Sequence, residues 1–170
     1  MIIWISGKSC VGKTLLAKKL LQKIKKKKIK IVHIDGDDIR KITHNFDYSS
    51  KGRYKNADFI SKFVKLLNIN KVNVVVSAIS NFPKLLNWNR KNIKKYFQIF
   101  IKAENETLYK RDNKKIYFNK KVKNINVVGE DITFKAPRNS DLIIENNDNK
   151  NIFLKNVDFI LNNKKIKFYL

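Results

Sequence analysis

Cysteine is almost absent from the 170 residues: Cys10 stands alone, so no disulfide can close within the chain, and a reducing compartment, the cytoplasm, is expected. Proline occurs twice and glycine five times, too few for a low-complexity or linker segment. No internal repeat is visible, and residues 1–170 are expected to form one domain, long enough to bury a core without disulfide or metal staples. Histidine is nearly as scarce. His33 lies in a predicted strand and His44 in a predicted loop, neither beside a second ligand at metal-binding spacing, so both are expected to be structural. Long apolar runs are missing too. The N-terminal run Ile2 to Ile5 has four residues, so neither a signal peptide nor a membrane span is expected. Acidic residues number 14 against 38 basic ones, a formal net charge of +24. A surplus of that size ordinarily points to nucleic acid or to an anionic membrane. Here 33 of the 38 are Lys, and Asn and Ile are also abundant, as an AT-biased coding sequence would give. Neither nucleic acid nor membrane is therefore expected as a partner, and the run Lys25 to Lys28 reads as a solvated helix end that complements the helix dipole.

Two of the five glycines fall in one short stretch. Gly7, Lys8, Ser9, Cys10, Val11, Gly12, Lys13 and Thr14 match G-x-x-x-x-G-K-[ST], directly after the apolar run and before a helical pattern. Such a loop turns backbone N–H groups inward on phosphate oxygens, which needs small residues at its bends. Gly7 and Gly12 supply them, Lys13 brings a positive charge to the β and γ phosphates, and the Thr14 hydroxyl is a ligand for Mg²⁺. Cys10 reads as a small spacer in this loop. A strand before it and a helix after it are the context the motif requires.

The rest of the chain alternates between the two periods. Leu16, Ala17, Leu20, Leu21 and Ile24 recur at helical spacing, Ile29 to Ile34 reads as a mostly buried strand, and a polar loop follows Arg40. A helix is predicted from about Arg53, with Ala57, Ile60, Phe63, Val64 and Leu67 in one stripe. Val72 to Ile79 is a third strand, rich in β-branched residues. A helix beyond Pro83, a strand over Tyr96 to Ile101, a short helix from Glu104 to about Arg111, a strand over Asp141 to Glu145 and a closing helix through Phe153 to Leu161 complete the pattern. Residues 112–135 are polar, basic and weakly periodic, a length that suggests a lid. The order strand, helix, strand implies an α/β fold with a parallel five-stranded sheet covered on both faces.

Chemistry gathers after the second strand. Asp35 and Asp37 flank Gly36 where that strand ends, the edge at which an open parallel sheet binds ligands. A carboxylate near a γ-phosphate accepts a proton from an attacking hydroxyl or helps hold Mg²⁺. Arg40 and Arg53, two of only five arginines, follow closely and suit an anionic substrate group.

These residues carry a family resemblance. The phosphate loop, then Ile34-Asp35-Gly36-Asp37-Asp38-Ile39-Arg40, Tyr48-Ser49, Gly52-Arg53, Asn56, Ile79-Ser80, Arg111-Asp112 and Lys114 stand in an order that is similar to the adenylylsulfate kinases. So do Gly129, Asp131, Phe134, Ala136-Pro137 and Asp141. The resemblance implies a P-loop kinase-like three-layer sandwich with a mobile lid, and transfer of the γ-phosphoryl of ATP, with Mg²⁺, to the 3′-hydroxyl of a nucleotide ribose. It implies that Asp37 is the base or the metal-side carboxylate together with Thr14, that Asp35 supports it, and that Lys13 holds the triphosphate. Arg40, Arg53 and Asn56 would grip the acceptor's anionic group, with Asp35, Ile79 and Ser80 beside it, and Tyr48 and Phe134 would sandwich its base. Ser80 matches a serine described in the family as a phosphoserine intermediate. Arg111 and Pro137 would belong to the ATP side, and Arg111 and Lys114 to the lid. Many members are homodimers.

The sequence also departs from the family. Asn81, Phe82 and Pro83 stand where Pro, an aromatic and Arg are usual, Tyr48 stands where Phe is common, and Lys115 replaces a lid glycine. One cation is thus missing beside the acceptor. The expected acceptor is a nucleoside 5′-conjugate, with a lean to cytidine diphosphoramidate, the substrate of the branch in bacterial capsule pathways, and adenylylsulfate as the alternative. Another small-molecule P-loop kinase and a basic nucleic-acid-binding P-loop protein remain as further readings.

Overall fold

The computed structural model describes residues 1–113, 115–117 and 126–169. Its five strands are β1 (Ile2–Ser6), β2 (Ile31–Asp35), β3 (Asn73–Ala78), β4 (Tyr96–Lys102) and β5 (Leu142–Glu145). They form one parallel sheet in the order β2-β3-β1-β4-β5. The helices are α1 (Lys13–Lys26), α2 (Gly36–Ile42), α3 (Ser50–Ile69), α4 (Pro83–Asn92), α5 (Asn105–Lys110), α6 (Lys150–Asn162) and α7 (Lys164–Tyr169). The P-loop-type parallel α/β architecture read from the sequence is the one found. No described helix is long and apolar enough to cross a membrane.

Period-two alternation in β1 divides the core. Ile3 and Ile5 face one side, where Leu16, Ala17 and Leu20 of α1, Phe153, Val157 and Ile160 of α6, and Ile166 of α7 pack on Phe97, Ile99 and Ile101 of β4. Ile2 and Trp4 face the other side, against Ile39 of α2, Ile60 and Val64 of α3, and Leu86 of α4. A strand covered on both faces has no solvent side, which is why β1 and β4 read as almost continuous apolar runs. From β1 the chain runs to one flank for β2 and β3 and to the other for β4 and β5. The crevice where that direction reverses opens at the carboxyl end of β1, and the phosphate loop begins there.

Two helices escape a reading based on periodicity. α2 occupies the stretch read as a turn and loop, and it has one buried apolar residue, Ile39. Its ends hold it: the Asp35 side chain accepts from the Asp37 N–H at 3.0 Å, Asp37 and Asp38 sit in the first turn, and Arg40 and Lys41 in the last. α7 buries only Ile166. α3 starts at Ser50, three residues before the predicted point, because the Ser49 hydroxyl caps it by accepting from the Gly52 N–H at 3.2 Å.

Candidate active site

The phosphate loop is held by close packing. Gly7 has φ +153°, and a Cβ there would come within 2.5 Å of the Ile101 carbonyl oxygen. Gly12 has φ +96°, and a Cβ would meet the Asn146 amide nitrogen at 2.9 Å. Neither position admits a side chain. Lys13 Nζ donates to the Lys8 carbonyl at 2.6 Å, which arches the side chain over its own loop. Lys8 Nζ reaches Asn105 Oδ1 at 3.0 Å. Beneath the Thr14 hydroxyl lies Asp35, whose Oδ2 accepts from Thr14 Oγ1 at 2.8 Å and from Ser77 Oγ at 2.6 Å.

Register explains the second of these bonds, because Asp35 of β2 pairs with Ser77 of β3. Since Ser77 gives its proton to Asp35, His33 Nε2, 2.8 Å from the same hydroxyl, carries the hydrogen and donates. The four side chains form one chain of hydrogen bonds, His33 to Ser77 to Asp35, with Thr14 donating from the other end. Burial alone would raise the pKa of Asp35. Hydrogen bonds from Ser77, the Asp37 amide and Thr14 outweigh it, and the carboxylate stays ionised below its ordinary range. A hydroxyl and an ionised carboxylate in contact are hard oxygen donors, the type with which a protein holds Mg²⁺ while phosphates and waters complete the octahedron. Asp37 stands two residues on, in the first turn of α2, exposed on the wall of the same cavity.

That cavity measures about 920 Å³ and runs from the phosphate loop across the ends of β2 and β3 to α3. At its far end two guanidinium groups lie over the exposed Tyr48 ring, Arg40 at 4.6 Å and Arg53 at 5.4 Å from the ring centre. Arg40 is buried, and its Nη1 donates to the Asn45 and Asp47 carbonyls, both at 2.9 Å. Arg53 donates from Nε to the Tyr48 carbonyl at 2.9 Å and from Nη2 to the Asn126 carbonyl at 2.8 Å. Backbone carbonyls thus fix the orientation of both groups, and their remaining N–H donors suit an anion. Burial lowers the pKa of each, and mutual repulsion lowers that of Arg53 further, a pairing that an anionic group would relieve. Asn56 Nδ2 contacts the Gly36 carbonyl at 3.4 Å, and its buried Oδ1 has no hydrogen-bond partner among the described residues.

Ile79 and Ser80 line the middle of the cavity. Ser80 is buried with φ +49°, and its Oγ accepts from the Trp4 indole N–H at 2.8 Å. Phe134 stands elsewhere. Its ring stacks on Phe100, with centroids 5.9 Å apart and planes 20° from parallel, and it does not line the cavity. The expected sandwich of Tyr48 and Phe134 is therefore not assembled in this structure. Asn81 bonds the backbone on either side of Phe134, its Nδ2 donating to the Thr133 carbonyl at 2.9 Å and its Oδ1 accepting from the Lys135 N–H at 2.6 Å. Pro137 is buried away from the cavity, and Lys114 and residues 118–125 of the expected lid lie outside the described residues.

Arg111 does line the donor side, donating from Nη1 to the Asn146 carbonyl at 2.8 Å and from Nη2 to the Asp148 carbonyl. The wall it braces went unread in the sequence: Asn146, Asp148, Asn149, Lys150 and Phe153, between β5 and α6. Asn146 Nδ2 donates to the Val11 carbonyl at 3.0 Å and joins this wall to the phosphate loop. Its position directly after β5, on the same sheet edge as the loop and Asp35, was the available signal. Cys10 and Asp112 join the loop to the start of the expected lid, with Sγ 3.6 Å from Oδ1.

A phosphate loop on β1, an ionised carboxylate bound to its hydroxyl and an arginine-lined compartment on the same sheet edge define a P-loop phosphotransferase with two substrate positions. The family model for adenylylsulphate kinase matches residues 1–145. Cytidine diphosphoramidate kinase of Campylobacter jejuni is 38% identical over 152 residues, 89% of this chain and 89% of that protein. A probable adenylyl-sulfate kinase of Pyrococcus abyssi is 31% identical over 145 residues, 84% and 83% of the two chains. Among solved structures, the Mycobacterium tuberculosis APS kinase CysC in complex with AMPPNP and APS shares the fold, with a TM-score of 0.83 at 24% identity over 94% of each chain. The chain belongs to the adenylylsulfate kinase family, and it is an ATP-dependent phosphotransferase.

Proposed function

We propose that the protein transfers the γ-phosphoryl of ATP to the ribose 3′-hydroxyl of a nucleoside 5′-conjugate, with cytidine diphosphoramidate as the acceptor. The observation that carries an anionic nucleotide acceptor is the pair of guanidinium groups held by backbone carbonyls beside Tyr48, across one cavity from the phosphate loop. The 38% identity to the Campylobacter jejuni enzyme, against 31% to the Pyrococcus abyssi one, supports the cytidine conjugate over adenylylsulfate.

In this reading the loop amides and Lys13 cradle the triphosphate, and Thr14 with Asp35 holds Mg²⁺. The metal, when bound, neutralises charge on the β and γ oxygens. Asp35 is suited to this part by its contact with Thr14 and by its depressed pKa. Asp37, on the cavity wall, accepts the proton of the 3′-hydroxyl as that oxygen attacks phosphorus in line. Arg40 and Arg53 bind the acceptor's terminal anion, and Tyr48 stacks on its base. Ser80, engaged by Trp4, shapes the wall, and the transfer passes through no phosphoserine.

The test measures ADP release with cytidine diphosphoramidate and adenylylsulfate offered side by side, and locates the new phosphate by NMR. Phosphorylation of the cytidine conjugate at the 3′ position is expected. Preference for adenylylsulfate would replace the cytidine assignment and keep the reaction, whereas consumption of neither would overturn both.

A further inference from the structure

His33 and Asp35 stand two residues apart on β2, so their side chains leave the same face of the sheet, the one on which Ile31 packs with α1. Ser77 of β3 lies opposite Asp35 and one diagonal step from His33. Its hydroxyl is caught between them, 2.6 Å from Asp35 Oδ2 and 2.8 Å from His33 Nε2. Ser77 is buried, so that hydroxyl depends on these two neighbours. The direction of the bonds is fixed by chemistry. An ionised carboxylate offers no hydrogen, so Ser77 donates to Asp35 and accepts from His33, which places the ring hydrogen on Nε2. The other tautomer would draw the Ser77 hydrogen to the ring and turn an oxygen lone pair on the carboxylate. From the far side Thr14 gives its own hydrogen to the same Oδ2 at 2.8 Å, and the lone pairs of Thr14 Oγ1 are left for a ligand.

We infer that His33 is a positioning residue for the metal-side pair: by donating to Ser77 it fixes that hydroxyl on Asp35, and Asp35 so held keeps the Thr14 hydrogen on Oδ2 and the Thr14 lone pairs toward the cation. Each donor polarises the next, so the chain of bonds holds more firmly than its members taken singly. His33 does not line the cavity and reaches it through Ser77, which does. The inference rests on Thr14 and Asp35 holding Mg²⁺, as proposed above.

Two measurements on the full chain test it. Long-range ¹H–¹⁵N NMR of the nucleotide-free protein at about pH 8, where a histidine is neutral, is expected to find the His33 hydrogen on Nε2, and finding it on Nδ1 overturns the inference. Calorimetry then compares binding of a non-hydrolysable ATP analogue in Mg²⁺ and in EDTA, so that the ratio of the two affinities reads the share that depends on metal. In His33→Phe that ratio should fall about five-fold, the effect of one neutral hydrogen bond, with binding in EDTA unmoved. His33→Gln can offer an amide N–H where Nε2 stood and should restore the ratio. In a Ser77→Ala background His33→Phe should change nothing further, because the path is already cut. A lower melting temperature with the ratio unmoved would leave His33 a structural residue only and overturn the inference, as would an additive effect in the Ser77→Ala background. A wild-type ratio near one would overturn both this inference and the metal assignment. A wild-type ratio that Asp35→Asn abolishes and His33→Phe leaves unmoved overturns this inference alone.

Discussion

Replacing Asp35 by Asn keeps the outline of the carboxylate and removes its charge, which separates shape from electrostatics at the phosphate loop. Asp35 Oδ2 accepts two hydroxyl protons, from Thr14 at 2.8 Å and Ser77 at 2.6 Å, while Oδ1 takes the Asp37 amide at 3.0 Å. With the amide oxygen kept on the Asp37 N–H, the amide nitrogen faces two hydroxyls that were donating, and both must turn. Ser77 is further constrained because His33 already donates to it. Hydrogen bonds to a charged group contribute roughly 1.5–3 kcal/mol each, and losing the charged character of two such bonds costs about 3–4 kcal/mol. If that loss falls on metal-bound ATP, kcat/KM drops by about 10²–10³ at fixed Mg²⁺. The assay is turnover against Mg²⁺ concentration at saturating acceptor, with thermal melting as the control for folding. Part of the loss should be recovered at high Mg²⁺. Ser77→Ala removes one donor only and should cost about ten-fold. Because that hydrogen bond helps hold the Asp35 pKa down, its loss should also move the acid limb of kcat/KM to higher pH. Wild-type turnover with an unchanged Mg²⁺ dependence in Asp35→Asn would refute the assignment of this carboxylate to the metal side.

Three further outcomes follow from the geometry. Asp37→Asn should lower kcat by about 10²–10⁴ while ATP binding, measured by calorimetry, stays within two-fold or so, as expected of a general base. Arg53→Lys cannot both reach the Tyr48 and Asn126 carbonyls and present a fork to an anion, so the acceptor KM should rise by about ten-fold with the ATP KM unmoved. Asp141 accepts from Arg90 at 2.9 Å, from Lys165 at 2.6 Å and from the Gln98 N–H at 2.9 Å. Burial pushes its pKa up, but those bonds win and hold it low. Its contribution to stability is therefore full above the ordinary carboxylate range and is lost as pH falls through the depressed folded value. Asp141→Asn should cost about 1.5–3 kcal/mol near neutral pH, a fall in Tm of roughly 4–10 °C, and should flatten the acid dependence of Tm below about pH 4.

Sequence pattern carried far where function depends on local runs, and stopped where it depends on contacts between distant residues. The phosphate loop, the strand before it and the apolar stripe of α1 are local, and all three stand where the pattern put them. α2 was hidden because seven residues with one buried apolar side chain, Ile39, give no clear period, and a carboxylate cap supplies what packing does not. Ser77 lies unremarked in the third predicted strand, and its part became visible only through the register that sets it opposite Asp35. The run Asn146 to Asn149 has the composition of a turn and forms the donor-side wall, since β5 ends on the same edge as β1. Phe134 was drawn to the acceptor base by resemblance. Its neighbour in the structure is Phe100, a contact between distant residues that no local pattern shows.

The bond from the Trp4 indole to Ser80 has a use of its own. Trp4 is buried in the central strand, and its N–H ends on the hydroxyl of a residue that lines the cavity, so the electronic environment of the indole is tied to the chemistry of the site. The chain has only one other tryptophan, Trp88. In Trp88→Phe the emission of Trp4 becomes a built-in optical gauge of acceptor entry, readable by stopped flow without a label.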